Sequence, residues 1–170
     1  MVNLIPMKTI IPARTKAEYT TISDLANRIW FEHYGPIIGE AQVSYMLEKF
    51  QSALAIENQV EKGMRYFLLL HQAIPVGYFA FSKKEESLFL SKLYILDSMR
   101  GSGMGRLALT FIEAQAKELQ LKKIELTVNK YNSSSIQVYE KMGFSTIDAI
   151  VQDIGNGYVM DDYVLEKSVM

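Results

Sequence analysis

The stretch Leu93-Tyr94-Ile95-Leu96-Asp97-Ser98-Met99-Arg100-Gly101-Ser102-Gly103-Met104-Gly105-Arg106-Leu107 decides how this chain folds. It joins two periods. Ser87 to Leu96 reads as a strand, with Leu88, Leu90, Leu93 and Ile95 as its apolar members. After Gly105 the helical period takes over, with Leu107, Phe111, Ala114 or Gln115, and Leu119. Between them stand three glycines at alternate positions. One reading is a tight turn with no ligand. The other is a phosphate cradle, because glycine backbone adopts positive φ and lets a ligand approach closely. The first turn of the following helix leaves N–H groups without internal partners, and the helix dipole places partial positive charge there. Phosphate suits such a turn, and Arg100 and Arg106 add formal charge at its edges.

Two common phosphate loops do not fit. A P-loop needs a Lys-Ser/Thr pair after its last glycine, and here Arg106-Leu107 follow Gly105. A dinucleotide fingerprint needs G-x-G-x-x-G and an acidic residue about twenty positions on. This loop is G-x-G-x-G, and Glu125 falls mid-strand rather than at a strand's carboxyl end.

Upstream, Lys8 to Arg14 reads as a first strand. Tyr19 to Phe31 places Ile22, Leu25, Ala26, Ile29 and Trp30 at helical spacing, and Gly35-Pro36 is expected to break that helix. Glu40 to Phe50 carries a second apolar stripe in Val43, Met46, Leu47 and Phe50, and a third helix is expected over Gln51 to Lys62. Arg65 to His71 is a short apolar run typical of a buried strand. Ile74-Pro75-Val76-Gly77 is expected to turn it into a second strand at Tyr78 to Phe81. Downstream, Lys123 to Asn129 alternates as a strand, and Asn132 to Met142 reads as a short helix with Gly143 at its left-handed cap position. Ser145 to Ile154 and Tyr158 to Lys167 then pair through Gly155-Asn156-Gly157. Strand, helix and strand around residues 88–128 make one parallel crossover, while the hairpins on either side demand antiparallel pairing. The fold class expected is α/β (α+β), a mixed, mostly antiparallel sheet with helices on both faces.

With 170 residues, 49% hydrophobic and 22% charged, the chain can bury one core as a single domain over 1–170. The absence of cysteine removes thiol catalysis, disulfides and thiolate metal sites. A formal net charge of -1 with scattered basic residues argues against nucleic acid. Lys83-Lys84 runs straight into Glu85-Glu86 and reads as a solvated turn. Met1-Val2-Asn3-Leu4-Ile5-Pro6 lacks the charged start and long apolar core of a signal peptide, and no window approaches about 18 uninterrupted apolar residues. The expectation is a cytoplasmic protein without a membrane span.

Arg100, Gly103 and Gly105 form R-x-x-G-x-G, which resembles the acetyl-CoA diphosphate loop of the GNAT superfamily of N-acetyltransferases. Leu93-Tyr94-Ile95-Leu96-Asp97 resembles that family's approach strand, with Asp97 where proline is frequent. Asn132-Ser133-Ser134-Ser135-Ile136-Gln137-Val138-Tyr139-Glu140-Lys141-Met142-Gly143-Phe144 resembles its second cofactor segment, N-x-x-A-x-x-x-Y-x-x-x-G-F, with Ser135 in place of alanine. The two segments occur in the family's order, and the layout loosely resembles bacterial polyamine N-acetyltransferases.

The resemblance implies a sheet of about seven strands, with a V-shaped splay between the fourth and fifth where the cofactor lies. It implies that acetyl-CoA contacts Leu93, Tyr94 and Ile95, the loop Arg100, Gly101, Ser102, Gly103, Met104, Gly105 and Arg106, and then Asn132, Ser135, Tyr139 and Lys141. Read as residues, Asn132 is a plausible helix N-cap, Tyr139 a core aromatic two turns on, and Lys141 a solvated lysine. The family reading makes Tyr139 the general acid that protonates the departing thiolate. Direct attack by an amine needs no covalent enzyme intermediate and no metal.

The sequence leaves the proton acceptor open among Glu32, His33, Asp97, Asp161 and Asp162, each also readable as an ordinary solvated or capping residue. Ser91 and Tyr94 lie where the family sometimes holds water. Trp30, Phe31, Tyr34 and Tyr45 supply rings near the first helix junction, and Trp30 also reads as core. The last strand carries Tyr158, Asp161, Asp162 and Tyr163. Rings and carboxylates suit a cationic amine, so Trp30, Tyr34 and Asp161 are the candidate substrate contacts for a small-molecule amine such as a polyamine. The alternatives are a protein or peptide N-acetyltransferase, or a non-catalytic acyl-CoA-binding module; a homodimer remains open.

Overall fold

The computed structural model describes residues 7–170, so the expectation for Met1 to Pro6 lies outside the described residues. The elements in chain order are β1 (Lys8–Pro12), α1 (Lys16–Ile38), α2 (Glu40–Gln51), α3 (Ala53–Glu61), β2 (Arg65–His71) and β3 (Ile74–Lys84). There follow β4 (Ser87–Ile95), a 3-10 turn (Asp97–Met99), α4 (Met104–Glu118), β5 (Lys123–Asn129), α5 (Ser133–Lys141), β6 (Ser145–Gly155) and β7 (Tyr158–Ser168). The seven strands form a mixed sheet in the order β1-β2-β3-β4-β5-β7-β6. The parallel ladder pairs Ser87–Leu90 of β4 with Lys123–Leu126 of β5, while β4 continues to Ile95 and β5 to Asn129, as the splay requires.

The chain clusters into two compact units: residues up to Ser82 with Lys92–Phe111, and Lys83–Ser91 with Ile112–Met170. In the first, α1 begins with a capping box. Thr15 Oγ1 accepts from Glu18 N at 3.2 Å and Glu18 Oε1 accepts from Thr15 N at 3.0 Å, which satisfies two otherwise orphaned amides. Its buried stripe of Ile22, Ala26, Ile29 and Trp30 packs with α2 and α3. Gly35-Pro36 does not end α1, which runs to Ile38. Pro36 removes one N–H only, and the turn still closes through Gly39 N to Gly35 O at 3.0 Å. Proline in a last turn therefore leaves the preceding turns of the helix intact.

The expected turn at Ile74–Gly77 is instead the start of β3. The hairpin reverses at Gln72 and Ala73, both in the left-handed region at φ 50 and 66. Neither residue type announces such a turn. Pro75 is accommodated beside the irregularity between Leu69 and Leu70, where a missing ladder donor is tolerated. Gly77 is in the strand because a Cβ there would sit 2.5 Å from Tyr94 O.

The expected stripe of α4 is also displaced. The helix starts at Met104, and its buried residues are Met104, Ala108, Leu109, Ile112 and Ala116, whereas Leu119 is 39% exposed. Two alanines among the inward positions let the helix lie close to its neighbours, and their small size concealed the stripe. Phe111 packs its ring on Phe67 and Phe79 at 5.1 and 5.8 Å.

In the second unit, β5 alternates buried and half-buried residues, with Ile124, Leu126 and Val128 inward. β7 pairs antiparallel with both β5 and β6. The β6–β7 hairpin reverses at Asn156 and Gly157, φ 55 and 79, inside the Gly155-Asn156-Gly157 turn that announced it.

Candidate active site

The glycine loop belongs to the first unit. Beyond β4, Arg100 N bonds Asp97 O at 3.1 Å and Ser102 N bonds Met99 O at 3.3 Å. Gly101 and Gly103 have φ of 76 and 86, so the turn itself demands both glycines. Gly105 differs. It lies inside α4, and a Cβ there would meet only Ile95 Cδ1, at an ordinary 3.7 Å. Folding does not require glycine at this position; close approach by a ligand would. The first helical bond of α4 runs from Leu107 N to Gly103 O at 3.0 Å. The amides of Met104, Gly105 and Arg106 precede it and point out of the helix end, where an anion is favoured. Met104 is 1% exposed, so its side chain is core and only its amide can serve a ligand.

Arg100 is held at the loop edge. Its Nε lies 2.9 Å from Asp97 Oδ1, and its Nη2 is 3.1 Å from His33 Nδ1. Asp97 and His33 therefore position a cation. Lys8 Nζ donates to the Ser102 carbonyl and lies 3.1 Å from where a Cβ of Gly103 would be. Sequence reading missed this third loop cation, because a lone lysine 94 positions upstream carries no signal until β1 folds beside the loop. Arg106 and Glu32 are exposed.

The same unit holds a group of rings. Trp30 is 3% exposed, and its indole N–H donates to Tyr78 Oη at 3.1 Å. Its ring stands 5.6 Å from Tyr34 and 5.2 Å from Tyr94, whose hydroxyls are 3.1 Å apart. Trp30 thus backs the half-buried Tyr34 and Tyr94. Tyr78 donates to Gln51 Oε1 at 2.5 Å, Gln51 Nε2 donates to Tyr66 Oη at 3.1 Å, and Tyr66 donates to Gln59 Oε1 at 2.6 Å. Burial pushes the phenols of Tyr66 and Tyr78 well above their ordinary range. Lys92 Nζ lies 5.9 Å from the Tyr66 ring centre, and burial lowers its pKa to about 8.

In the second unit, Asn132 is the N-cap of α5, its Oδ1 accepting from Ser135 N at 3.4 Å. The helix closes in a Schellman motif. Phe144 N bonds Tyr139 O and Gly143 N bonds Glu140 O, both at 3.0 Å, with Gly143 at φ 99. The Tyr139 and Phe144 rings meet edge-on at 5.5 Å, the apolar contact that accompanies such a cap. Asn132, Ser135, Tyr139, Gly143 and Phe144 are thus one folding device. Tyr139 remains half-buried and Lys141 exposed.

On β7, Asp161 Oδ1 is 2.7 Å from Lys130 Nζ, which also lies 5.6 Å over the Tyr163 ring. Asp162 is buried, and burial followed by the Asp161 charge raises its pKa from 3.8 to about 6, with Lys130 opposing.

Residues 22–144 match the model of the Acetyltransferase (GNAT) family. That span is most of the chain, and the chain belongs to this family. It is 28% identical over 61 residues to the uncharacterized N-acetyltransferase YdgE of Bacillus subtilis (strain 168), covering 36% of this chain and 39% of that one. The match therefore spans about two fifths of that curated relative. The fold superposes on the PaiA N-acetyltransferase of Thermoplasma acidophilum in complex with coenzyme A with a TM-score of 0.81, at 18% identity, covering 95% of this chain and 98% of that one. A spermidine N-acetyltransferase SpeG chimera from Vibrio cholerae and hSSAT superposes with a TM-score of 0.70, at 18% identity and 96% of each chain. At such identities these likenesses define the fold.

Proposed function

We propose that residues 1–170 are one acetyltransferase domain that moves an acetyl group from acetyl-CoA to a primary amine of a small cationic molecule, of the polyamine class, in the cytoplasm. The observation that carries the proposal is Gly105, a helical glycine that the fold does not need, set among three amides that face a helix end. A neighbouring fold crystallised with coenzyme A supports the same choice of co-substrate.

Acetyl-CoA supplies an acyl carbon activated by its thioester. In this reading the amides of Gly103 to Arg106, with the charges of Lys8, Arg100 and Arg106, hold its diphosphate. The backbone of Leu93, Tyr94 and Ile95 receives the pantetheine arm and polarises the thioester carbonyl. Asn132 and Ser135 keep α5 wound, so that Tyr139 presents its hydroxyl and returns a proton to the departing sulfur. The ring of Tyr34 and the carboxylate of Asp161 favour a cationic acceptor, whereas Trp30, expected as a substrate contact, is buried behind Tyr34 and serves only to support it. A panel of amines, including spermidine, spermine and peptides with free N-termini, tests this through thiol release. Turnover of small polyamines is the expected result; turnover of peptides alone would transfer the chain to the protein-modifying class.

A further inference from the structure

Asp161 and Asp162 adjoin in sequence but face opposite sides of the sheet; Lys130 forms its ion pair with Asp161 and bears on Asp162 only as a more distant charge. Asp162 is 3% exposed, and among the described residues its carboxylate forms no side-chain hydrogen bond or ion pair; the fully buried oxygen left without a hydrogen bond on this strand is Asp161 Oδ1. A buried carboxylate without a partner is strongly disfavoured. It persists where a ligand completes it or where its strain serves function.

The charged groups on its own face of the sheet are otherwise engaged. Lys123 Nζ donates to Glu166 at 3.0 Å, Glu125 lies 3.7 Å from Lys84, and Asp148 accepts from Ala149 N at 2.8 Å. Tyr158 shares that face and is partnered. Asp162 pairs with Asn129, the last residue of β5. Ligands of parallel α/β strands gather outside such carboxyl ends, and within four residues the chain enters α5, which carries Tyr139.

We propose that Asp162 is the general base of the reaction, taking the proton from the ammonium group of the acceptor amine. This rests on the acetyl-transfer reading above. One N–H proton passes to Asp162 Oδ. The freed lone pair forms the new bond from nitrogen to the acetyl carbon as the carbon–sulfur bond breaks. Tyr139 gives its proton to sulfur, and the second proton lost by nitrogen replaces it. Asp162 then releases its proton to water. At neutral pH the carboxyl is ionised and so ready to accept, and its raised pKa makes it a better base than an ordinary aspartate.

The test is Asp162→Asn, which keeps size and shape. Turnover should fall at least about 100-fold, with acetyl-CoA affinity by calorimetry unchanged. The acidic limb of kcat/KM, expected near pH 6 in the wild type, should vanish, and Asp162→Glu should recover part of the rate. Thermal unfolding gives a readout free of turnover. Asp162→Asn should melt above the wild type at pH 8, and the gap should close toward pH 4, where both side chains are neutral. A variant less stable than the wild type at pH 8, or one that does not fold, would mean that the carboxylate has a stabilising partner, and overturns the proposal. Turnover within about two-fold of the wild type, with the acidic limb retained, also overturns it while leaving acetyl transfer standing. A wild-type chain that binds no acetyl-CoA would overturn the acetyl-transfer reading and this proposal together.

Discussion

Single residues divide into those the fold needs and those it does not. Gly101 and Gly103 are demanded by positive φ, whereas Gly105 is helical with room for a Cβ. Gly105→Ala should therefore hold or raise stability by roughly 0.5–1 kcal/mol, since alanine is the better helix former. The same change should weaken acetyl-CoA binding at least about tenfold, or ~1.4 kcal/mol; calorimetry and thermal melting on the same samples separate the two effects. Tyr139→Phe keeps the ring that meets Phe144 at 5.5 Å and deletes only the hydroxyl. It should lower kcat by about 100-fold with acetyl-CoA affinity little changed, read by steady-state kinetics. Motif spacing singles out the glycines and Tyr139 in the sequence as candidates. Lys8 was not legible there, since its contact with Ser102 joins distant parts of the chain. The distinction between Asp161 and Asp162 was equally hidden, because it depends on which neighbour Lys130 reaches.

At the scale of elements, the segment from Asn132 to Phe144 reads twice. It resembles a cofactor segment, and Asn132, Ser135, Tyr139, Gly143 and Phe144 within it also serve to start or stop α5. Gly143 sits at φ 99, with the end of the Lys167 side chain 3.2 Å from where a Cβ would be. Gly143→Ala should cost about 1 kcal/mol by chemical denaturation, and turnover should fall with it if α5 must hold Tyr139. Caps such as Asn132 and Gly143 are local and so were readable in advance. The hairpin at Gln72-Ala73 was not, because its positive φ values are imposed by the strands it joins. Nor was the inward face of α4, where Ala108 and Ala116 are buried and the larger Leu119 is exposed. Size misleads wherever close packing selects small residues. Pro36 misled in the opposite sense, since a proline so near the helix end did not stop α1 short of Ile38.

At the scale of the whole molecule, connectivity narrows the strand order without fixing it. Hairpins at both ends and one crossover in the middle admit few sheets, and the order β1-β2-β3-β4-β5-β7-β6 is one of them. The inversion of β6 and β7 at the edge was not legible, because hairpin strands state their pairing but not which of them meets β5. A ligand that binds only the folded chain stabilises all of it. Acetyl-CoA at 100 times its dissociation constant should add about 2.7 kcal/mol, raising the melting temperature by roughly 5–10 °C for a chain of this length. Coenzyme A should do the same, and adenosine without the diphosphate should not. The decisive experiment is a crystal of the chain grown with acetyl-CoA. The diphosphate should lie within hydrogen-bonding distance of the amides of Met104, Gly105 and Arg106. Density for the diphosphate at any other part of the surface would contradict that placement.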